Sequence, residues 1–282
     1  MKGTLYIVST PIGNLEDITL RALRVLKEVD IIAAEDTRRS LKLLNHYGIS
    51  KPLMSFWRER EDIRSTQVIE RLYSGQSVAL ISDAGTPGIS DPGALLIRKA
   101  VAENIQVVSI PGPSALIAAL SLSGLPTEEF TFIGFLPSRK NQRQKVLKDL
   151  CLEPRTLILF EAPHRIIHTL KDVEEIFAER KAAVIKEITK IHEAVLRGTI
   201  SEIRSKLEKT KIAGEYVIIL EGKSEGKKII TNDILSEINS LMKKGLKRKE
   251  AVKKIADAYK VSKKELYDKS LTEYLDFSSS SQ

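Results

Sequence analysis

One apolar run in this chain ends in a densely punctuated loop. Val78–Ile81 is followed by residues 82–93, which contain three glycines, two prolines and two aspartates. An apolar run that stops this abruptly predicts a buried strand whose carboxyl end opens into a tightly specified loop. Glycine lets the backbone adopt positive φ or approach a ligand closely. The pattern therefore favours a ligand site over an ordinary strand-to-helix turn.

Short apolar runs alternate with amphipathic segments through the first 110 residues. This alternation predicts a mostly parallel sheet that is covered by helices on both faces. Ligands of such sheets collect at the carboxyl ends of the strands. The predicted strands are residues 5–8, 30–34, 53–56, 78–81 and 107–110, and the predicted helices are 17–29, 38–47, 63–72 and 93–103.

A second α/β unit follows. The segment after the third of its strands returns through a short connection, which predicts antiparallel pairing and a mixed sheet. Its predicted strands are residues 130–135, 156–160, 182–186, 193–197 and 216–220, and its predicted helices are 143–150, 166–178 and 201–208.

The remainder of the chain reads as a linker and a small helical domain. Residues 223–231 have the polar, glycine-containing composition of a linker. Helical periodicity follows at residues 232–244, 249–259 and 262–269, and the pair Ser262 and Glu265 forms a capping-box pattern. We expect four parts and a tail: residues 1–115, 116–222, 223–231, a helix-turn-helix-like domain at 232–276, and 277–282.

Positive charge is concentrated near the C-terminus. The chain carries a net charge of +8, and residues 243–264 contain ten basic residues against two acids. A cluster of this kind is a candidate contact for a polyanion such as RNA. The alternative is a solvated lysine-rich helical face. The predicted RNA contacts in this segment are Lys247, Arg248, Lys249 and Lys253.

Several classes of protein and site are disfavoured. The single cysteine, Cys151, excludes an internal disulfide, and His164 and His168 lack a third ligand, so we expect no metal site. No apolar stretch reaches the length of about 18 residues that a membrane span requires, and the N-terminus does not resemble a signal peptide. We expect a soluble cytoplasmic protein. The Gly-x-Gly-x-x-Gly and phosphate-loop patterns are absent.

Five special loops are predicted at one edge of the molecule. Any one alone is weak, because strand ends commonly carry proline, glycine and asparagine. Together they favour a binding cleft for a ligand that is held mostly by backbone groups and small side chains. They are residues 9–15, 34–38, 82–93, 111–115 and 160–165.

These loops resemble the motifs of a known family, the ribosomal RNA small subunit methyltransferase I family of the tetrapyrrole methylase superfamily. The resemblance runs from about Thr4 to Gly222, and its most specific part is residues 82–93. The matching motifs are Thr10-Pro11-Ile12-Gly13-Asn14-Leu15, Ala34-Glu35-Asp36-Thr37-Arg38, residues 82–93, Pro111-Gly112-Pro113-Ser114-Ala115, Gly134-Phe135-Leu136-Pro137, His164-Arg165 and Gly214-Glu215.

The resemblance implies an S-adenosylmethionine-dependent enzyme that methylates the 2′-hydroxyl of a cytidine in small-subunit (16S) ribosomal RNA. It also implies two α/β domains with the cofactor in the cleft between them, and a homodimer. By position in the motifs, the expected cofactor contacts are Pro11, Ser82, Asp83, Ala84, Thr86, Ser114, Ala115, Phe160, Ala162 and Gly214.

The departing 2′-hydroxyl proton calls for a base, and a carboxylate could serve. Glu35 and Asp36 are the predicted catalytic residues, because they follow a predicted strand and precede Arg38. The alternative is that Asp36 caps the following helix and Glu35 pairs with an arginine. Arg38 is a predicted contact for an RNA phosphate.

The stretch after the third strand departs from the family. Relatives often carry histidine and asparagine there, whereas this chain has residues 55–61, Ser-Phe-Trp-Arg-Glu-Arg-Glu, so a histidine base is not carried over. Trp57 between Phe56 and Arg58 suggests either stacking on an RNA base or a packing anchor.

Two other functions stay open from sequence. The first alternative is a non-catalytic RNA-binding or ribosome-assembly protein. The second is an enzyme that methylates a small tetrapyrrole. The basic C-terminal segment argues against the tetrapyrrole, because a small ring does not need a strongly positive contact surface.

Overall fold

The computed structural model describes residues 1–223, 231–259 and 261–278. The chain divides into two compact units, Met1–Lys223 and Ser224–Gln282. Most of the predicted linker at 223–231, and residues 279–282 of the predicted tail, lie outside the described residues.

The first sheet of the first unit has five parallel strands in the order β3-β2-β4-β1-β5. The parallel sheet predicted from the alternation is confirmed. Its strands are β1 (Thr4–Val8), β2 (Ile31–Ala34), β3 (Leu53–Ser55), β4 (Val78–Ile81) and β5 (Gln106–Ile110), and its helices are α1 (Leu20–Glu28), α2 (Thr37–His46), α3 (Glu61–Tyr73) and α4 (Ala94–Ala102).

Helices cover both faces of this sheet, which explains why its inner strands are continuously apolar. On one face, α3 and α4 pack through Leu72 and Leu96 against alternate strand residues such as Leu80. On the other face, α1 and α2 pack through residues such as Leu26. The chain leaves β1 toward one edge of the sheet and leaves β4 toward the other. The loops after these two strands therefore meet at the topological switch point, where open α/β sheets bind ligands.

The second sheet has the order β6-β7-β10-β8-β9. Strand β10 is antiparallel to both neighbours, and β8 and β9 are antiparallel as well, so the predicted mixed sheet is confirmed. Its strands are β6 (Phe130–Phe135), β7 (Thr156–Glu161), β8 (Lys181–Lys186), β9 (Ala194–Thr199) and β10 (Tyr216–Leu220), and its helices are α5 (Ala115–Ser123), α6 (Lys140–Leu150), α7 (Ile166–Phe177) and α8 (Ile200–Leu207).

Helix α5 was not expected from the sequence. Its residues are apolar on nearly every side, so they show no 3.6-residue alternation to reveal a helix. The helix packs on one face of the second sheet, where Ala119 and Leu120 contact Ile185 and Ile219. The opposite face is covered by α6, α7 and α8.

A buried ion pair ties α6 to α7. The Arg143 guanidinium lies 2.5 Å from the Asp172 carboxylate, and both side chains are almost fully buried. Arg143 also donates to the Ser138 carbonyl at 3.1 Å, and the Gln144 amide donates to Asp172 at 2.9 Å. The charges are therefore fully partnered, as buried charges must be.

The second unit contains three helices, α9 (Asn232–Lys243), α10 (Arg248–Tyr259) and α11 (Lys263–Ser278), in its described part. They pack around a small apolar core that includes Ile238, Ile255 and Leu266. The Ser262 hydroxyl accepts a hydrogen bond from the Glu265 amide at 3.3 Å, as the capping pattern predicted. No helix among the described residues is long and apolar enough to cross a membrane.

Candidate active site

A cavity of about 610 Å³ lies in the first unit, between the carboxyl edge of the first sheet and the second sheet. This volume falls within the range of about 300–1,000 Å³ that is typical of small-molecule sites. Four of the five predicted loops line it, and its walls are mostly apolar. The lining residues are Ile12, Ala84, Gly85, Thr86, Ile89, Ser90, Asp91, Ser114, Ala115, Leu116, Phe135, Phe160, Glu161, Ala162, Pro163, Ile188, Glu215, Tyr216 and Val217.

The loops after β1 and β4 are joined by a backbone bridge. The Thr10 amide donates to the Gly85 carbonyl at 2.9 Å, and the Gly85 amide donates back at 3.0 Å. Gly85 makes this bridge at φ +79°, a conformation that glycine adopts without steric cost. The Ser9 and Thr86 hydroxyls lie 2.8 Å apart and reinforce the junction. The punctuated loop is thereby held rigid at the cavity.

Asp83 turns away from the cavity and secures the loop to the end of β2. Its carboxylate accepts a hydrogen bond from the Asp36 amide at 3.0 Å and lies 3.2 Å from the Arg39 guanidinium. Its own amide donates to the Glu35 carboxylate at 3.3 Å. The fifth predicted loop, residues 34–38, therefore supports the cavity wall instead of lining the cavity.

Six of the ten predicted cofactor contacts line the large cavity: Ala84, Thr86, Ser114, Ala115, Phe160 and Ala162. The other four lie elsewhere. Pro11 and Asp83 line a separate pocket of about 200 Å³ together with Leu15, Arg39, Lys42 and Leu43. Ser82 is buried beneath the loop, and Gly214 immediately precedes the lining residue Glu215. Cofactor contacts by all ten residues stay predictions.

Sequence reasoning missed part of the cavity wall. Tyr216 and Val217 begin the buried strand β10, and Ile188 follows β8, so their apolar character predicted core positions only. The Gly214-Glu215 motif beside them was the available signal. Asp91 belongs to the predicted loop at residues 82–93, but the sequence did not indicate it as a site residue.

Three carboxylates line the cavity, and two of them are committed to other groups. Glu161 accepts from the Thr169 hydroxyl at 2.6 Å and from the Ala162 amide at 2.9 Å, and it lies 3.0 Å from the Arg165 guanidinium. Glu215 stands at the exposed rim, 3.0 Å from the Lys190 ammonium. The third is Asp91, and burial raises the pKa of its carboxyl above the usual value.

The two predicted catalytic residues occupy different environments. Burial raises the pKa of the half-buried Glu35 carboxyl, and the negative charges of Asp91 and Asp83 act in the same direction. Asp36 is the N-cap of α2, and its carboxylate accepts from both the Arg38 amide and the Arg38 side chain, which lower its pKa. Neither residue lines the large cavity, and the catalytic role of each stays a prediction.

The cavity has the chemistry that a nucleoside sulfonium requires. Phe160, flanked by Phe132 and Phe135 in edge-on contacts, offers an aromatic surface for a planar base or a cation. Small side chains at Ala84, Ala115 and Ala162 leave room for a ligand to approach the backbone. The Phe160 ring also suits a positively charged ligand, and the residues present fit S-adenosylmethionine.

The predicted RNA contacts are distributed over both units. In the first unit, Arg38 is exposed beside Asp36, and Trp57 is 39% exposed with the Arg60 guanidinium 5.8 Å from its ring centre. In the second unit, Lys247, Lys249 and Lys253 are exposed. There the half-buried Arg248 donates to the Ser270 carbonyl at 2.9 Å.

Comparison with known proteins identifies the family. The family described as Tetrapyrrole (Corrin/Porphyrin) Methylases matches residues 4–204. Ribosomal RNA small subunit methyltransferase I of Halalkalibacterium halodurans is 43% identical over 274 residues, which cover 95% of this chain and 94% of the relative. The protein of that name from Xylella fastidiosa is 47% identical and covers 94% and 98%. This chain belongs to the ribosomal RNA small subunit methyltransferase I group of the tetrapyrrole methylases. The predicted membership is confirmed.

Another relative in this group is shorter. Ribosomal RNA small subunit methyltransferase I of Thermotoga maritima is 49% identical over 221 residues, which are 78% of this chain and 99% of the relative. That length is close to the length of the first unit, Met1–Lys223.

Solved structures confirm the predicted tetrapyrrole methylase fold. Diphthine synthase matches with a TM-score of 0.60 at 18% identity, over 78% of this chain and 90% of that chain. Uroporphyrin-III C-methyltransferase of Thermus thermophilus, complexed with S-adenosylhomocysteine, matches with a TM-score of 0.55 at 18% identity, over 78% and 97%. At this identity the likeness concerns the fold alone.

Proposed function

We propose that this protein transfers a methyl group from S-adenosylmethionine to the 2′-hydroxyl of a cytidine in small-subunit ribosomal RNA. The observation that carries the proposal is the 610 Å³ cavity, which four special loops line in a chain of this methyltransferase group. The solved relative complexed with S-adenosylhomocysteine supports the choice of cofactor.

The lining residues would hold the cofactor through backbone groups, small side chains and the Phe160 ring. The bound cofactor supplies a methyl group that is already activated by its sulfonium. Much of the rate enhancement then comes from alignment, since effective molarities of well-oriented reactions reach about 10⁵ M or more. The rigid bridge between Thr10 and Gly85 suits this task, because it fixes the wall of the cavity before the substrate binds.

We assign the chemistry to the first unit and RNA contact to both units. The short relative from Thermotoga maritima supports this division, because its length is close to that of the first unit. Arg38 in the first unit, and Lys247, Lys249 and Lys253 in the second, are exposed cations that suit phosphate contacts. Arg248, the remaining predicted contact, also anchors α10 to α11.

The decisive experiment uses small subunits that lack the modification. They are incubated with the full-length protein and methyl-labelled S-adenosylmethionine, and the RNA is digested to nucleosides. We expect the label in 2′-O-methylcytidine. RNA binding without cofactor binding would favour an assembly protein instead, and label on a tetrapyrrole but not on RNA would favour small-ring methylation.

A pair of variants tests whether the cavity is the cofactor site. Ala162→Trp would fill the space beside Phe160, whereas Ala102→Trp adds the same bulk at the exposed end of α4. We expect Ala162→Trp to abolish S-adenosylmethionine binding in calorimetry and Ala102→Trp to retain it. Equal affinities for the two variants would contradict this location.

The basic residues of the second unit are tested through the salt dependence of RNA binding. Lys247→Ala, Lys249→Ala and Lys253→Ala are combined in one variant. The salt slope should fall by about 0.7–0.9 for each RNA phosphate that a lysine no longer neutralises. An unchanged slope would support the solvated-face interpretation.

The homodimer and the cytoplasmic location are part of the same proposal. Both follow from the family resemblance and from a ribosomal substrate. Sedimentation equilibrium of the full-length protein measures the oligomeric state, and a mass of one chain would contradict the dimer.

A further inference from the structure

The proposed methyl transfer leaves open which group accepts the proton of the ribose hydroxyl. A proton acceptor must face the site where the substrate binds, and it must not be committed to structural partners. The choice of this group rests on the proposed function and concerns the three carboxylates that line the cavity, Asp91, Glu161 and Glu215.

Glu161 and Glu215 do not meet these requirements. The two oxygen atoms of Glu161 are shared among three donors, from Ala162, Arg165 and Thr169, and its side chain is fully buried. A carboxylate whose oxygens are already shared in this way is committed to structural contacts. Glu215 points into solvent at the rim and pairs with Lys190. Asp91 is the remaining carboxylate of the cavity.

The N-terminus of α4 is already capped by a different carboxylate. Asp91 lies two residues before Gly93, the N-cap of α4, and the first amides of a helix attract carboxylates. In this protein the Glu61 carboxylate, from the start of α3, accepts from the Gly93 amide at 2.8 Å and from the Leu95 amide at 3.1 Å. Asp91 is therefore not needed as the helix cap.

The surroundings of Asp91 hold its carboxylate beside the cavity. Arg58 donates a hydrogen bond to the carbonyl of the neighbouring Ser90, which fixes the loop and brings a positive charge close to Asp91. Ser82 is buried beneath the loop, donates to the Ala84 and Gly85 carbonyls, and lowers the pKa of the nearby Asp91 carboxyl.

We infer that Asp91 is the catalytic residue that accepts the 2′-hydroxyl proton. As the ribose oxygen forms its bond to the methyl carbon, the carbon–sulfur bond breaks and its electron pair stays on sulfur. The hydroxyl proton moves to an oxygen of Asp91 and leaves to water after product release. The positive charge of the sulfonium disappears in the same step, so the proton is the only charge left to remove.

The electrostatic environment gives this assignment a pH signature. Burial and the charge of Asp83 raise the pKa of Asp91, whereas Ser82 and Arg58 lower it, and Glu35 adds a further negative charge nearby. The net shift is upward. Because only the ionised carboxylate accepts a proton, the rate should fall with decreasing pH at a value above the ordinary aspartate pKa.

The test measures single-turnover methylation of unmodified small subunits as a function of pH, with the full-length protein. Asp91→Asn should lower the rate by about 10²- to 10⁴-fold and abolish the acidic limb, while its affinity for S-adenosylmethionine changes only slightly. Asp91→Glu keeps a carboxylate and should recover part of the rate. Asp62→Asn, at an exposed ion pair with Lys99, is the matched control and should behave as the unaltered protein does.

The outcomes separate the inference from the proposed function. If the unaltered protein methylates ribose and Asp91→Asn does so at a similar rate, the assignment is wrong and the function stands. If Glu35→Gln lowers the rate as strongly as expected for Asp91→Asn, and Asp91→Asn does not, Glu35 is the base. If the unaltered protein places no methyl group on ribose, both the function and the assignment are wrong. Loss of folding in Asp91→Asn is recognised by its unfolding curve, and Asp91→Glu then decides through its pH profile.

Discussion

Glu35 and Glu161 occupy similar places on the two sheets of the first unit. Glu161 is the last residue of β7, Glu35 directly follows β2, and each precedes an arginine by three or four residues. Their surroundings differ. Glu161 is surrounded by donors and neutralised by Arg165, whereas Glu35 has one backbone donor and two carboxylates nearby, because Arg38 and Arg39 pair with Asp36 and Asp83. Glutamate therefore has a structural role at the end of a strand in the second sheet, whereas in the first sheet its charged form is disfavoured and its pKa is raised.

The largest expected effect on stability concerns Glu161. Glu161→Ala would leave the mostly buried Arg165 guanidinium and the buried Thr169 hydroxyl without their acceptor. Breaking a buried pair in this way costs about 3–5 kcal/mol. We expect the free energy of unfolding, measured in urea, to fall by an amount near the lower end of this range, since Arg165 also donates to the Leu136 carbonyl. Glu161→Gln, which keeps an acceptor for Thr169, should lose less. Equal losses would mean that the charge of Glu161 contributes nothing.

A smaller effect is expected at the glycine beside the cavity rim. Gly214 has φ +87°, and an added Cβ would lie 2.4 Å from the Glu187 carboxylate, which is held by Lys190. Gly48 has φ +62° and open space around it. Positive φ alone costs alanine about 1–3 kcal/mol. Gly214→Ala should therefore lower the free energy of unfolding more than Gly48→Ala does, and only the former should weaken cofactor binding.

The raised pKa of Glu35 should affect how the free energy of unfolding depends on pH. Since the pKa of Glu35 is raised in the folded state, the folded protein holds this proton more tightly than the unfolded chain does. The associated stability is present at acidic pH and is lost as pH rises through the folded pKa. Glu35→Gln should thus be slightly more stable than the unaltered protein at neutral pH, and the advantage should vanish in acid. The gain is small because solvent screens a half-exposed group. A loss of stability at neutral pH would contradict the comparison.

The smallest effect is expected at Asp36. Asparagine caps a helix about as well as aspartate does. Asp36→Asn should therefore preserve stability. It should also preserve most of the methylation rate, since the Asp36 carboxylate is occupied by Arg38 and does not line the large cavity. A fall of about 10²-fold or more would instead support the prediction that Asp36 is the base.

The carboxylates also show how far sequence reasoning reaches at a site. Four of the five loops predicted from glycine and proline punctuation do line the cavity, because the ends of buried strands are marked by local composition. The sequence singled out Glu35 and Asp36 among the carboxylates but not Asp91. The selection of Asp91 depends on Glu61, whose carboxylate caps α4 from 32 residues away, so that Asp91 is not needed as the cap. Such a long-range hydrogen bond leaves no local pattern.

The sequence by itself determined where the strands of both sheets lie, most of the loops that line the cavity and the family to which the chain belongs. These features are encoded by hydrophobic periodicity and by residues with special backbone requirements, and both act over a few neighbouring positions. Only the tertiary structure decided that α5 is a helix, that Asp83 faces away from the cavity and that Asp91 faces into it. The physical reason is that burial and partner choice depend on residues that are distant in sequence and meet only in the folded chain.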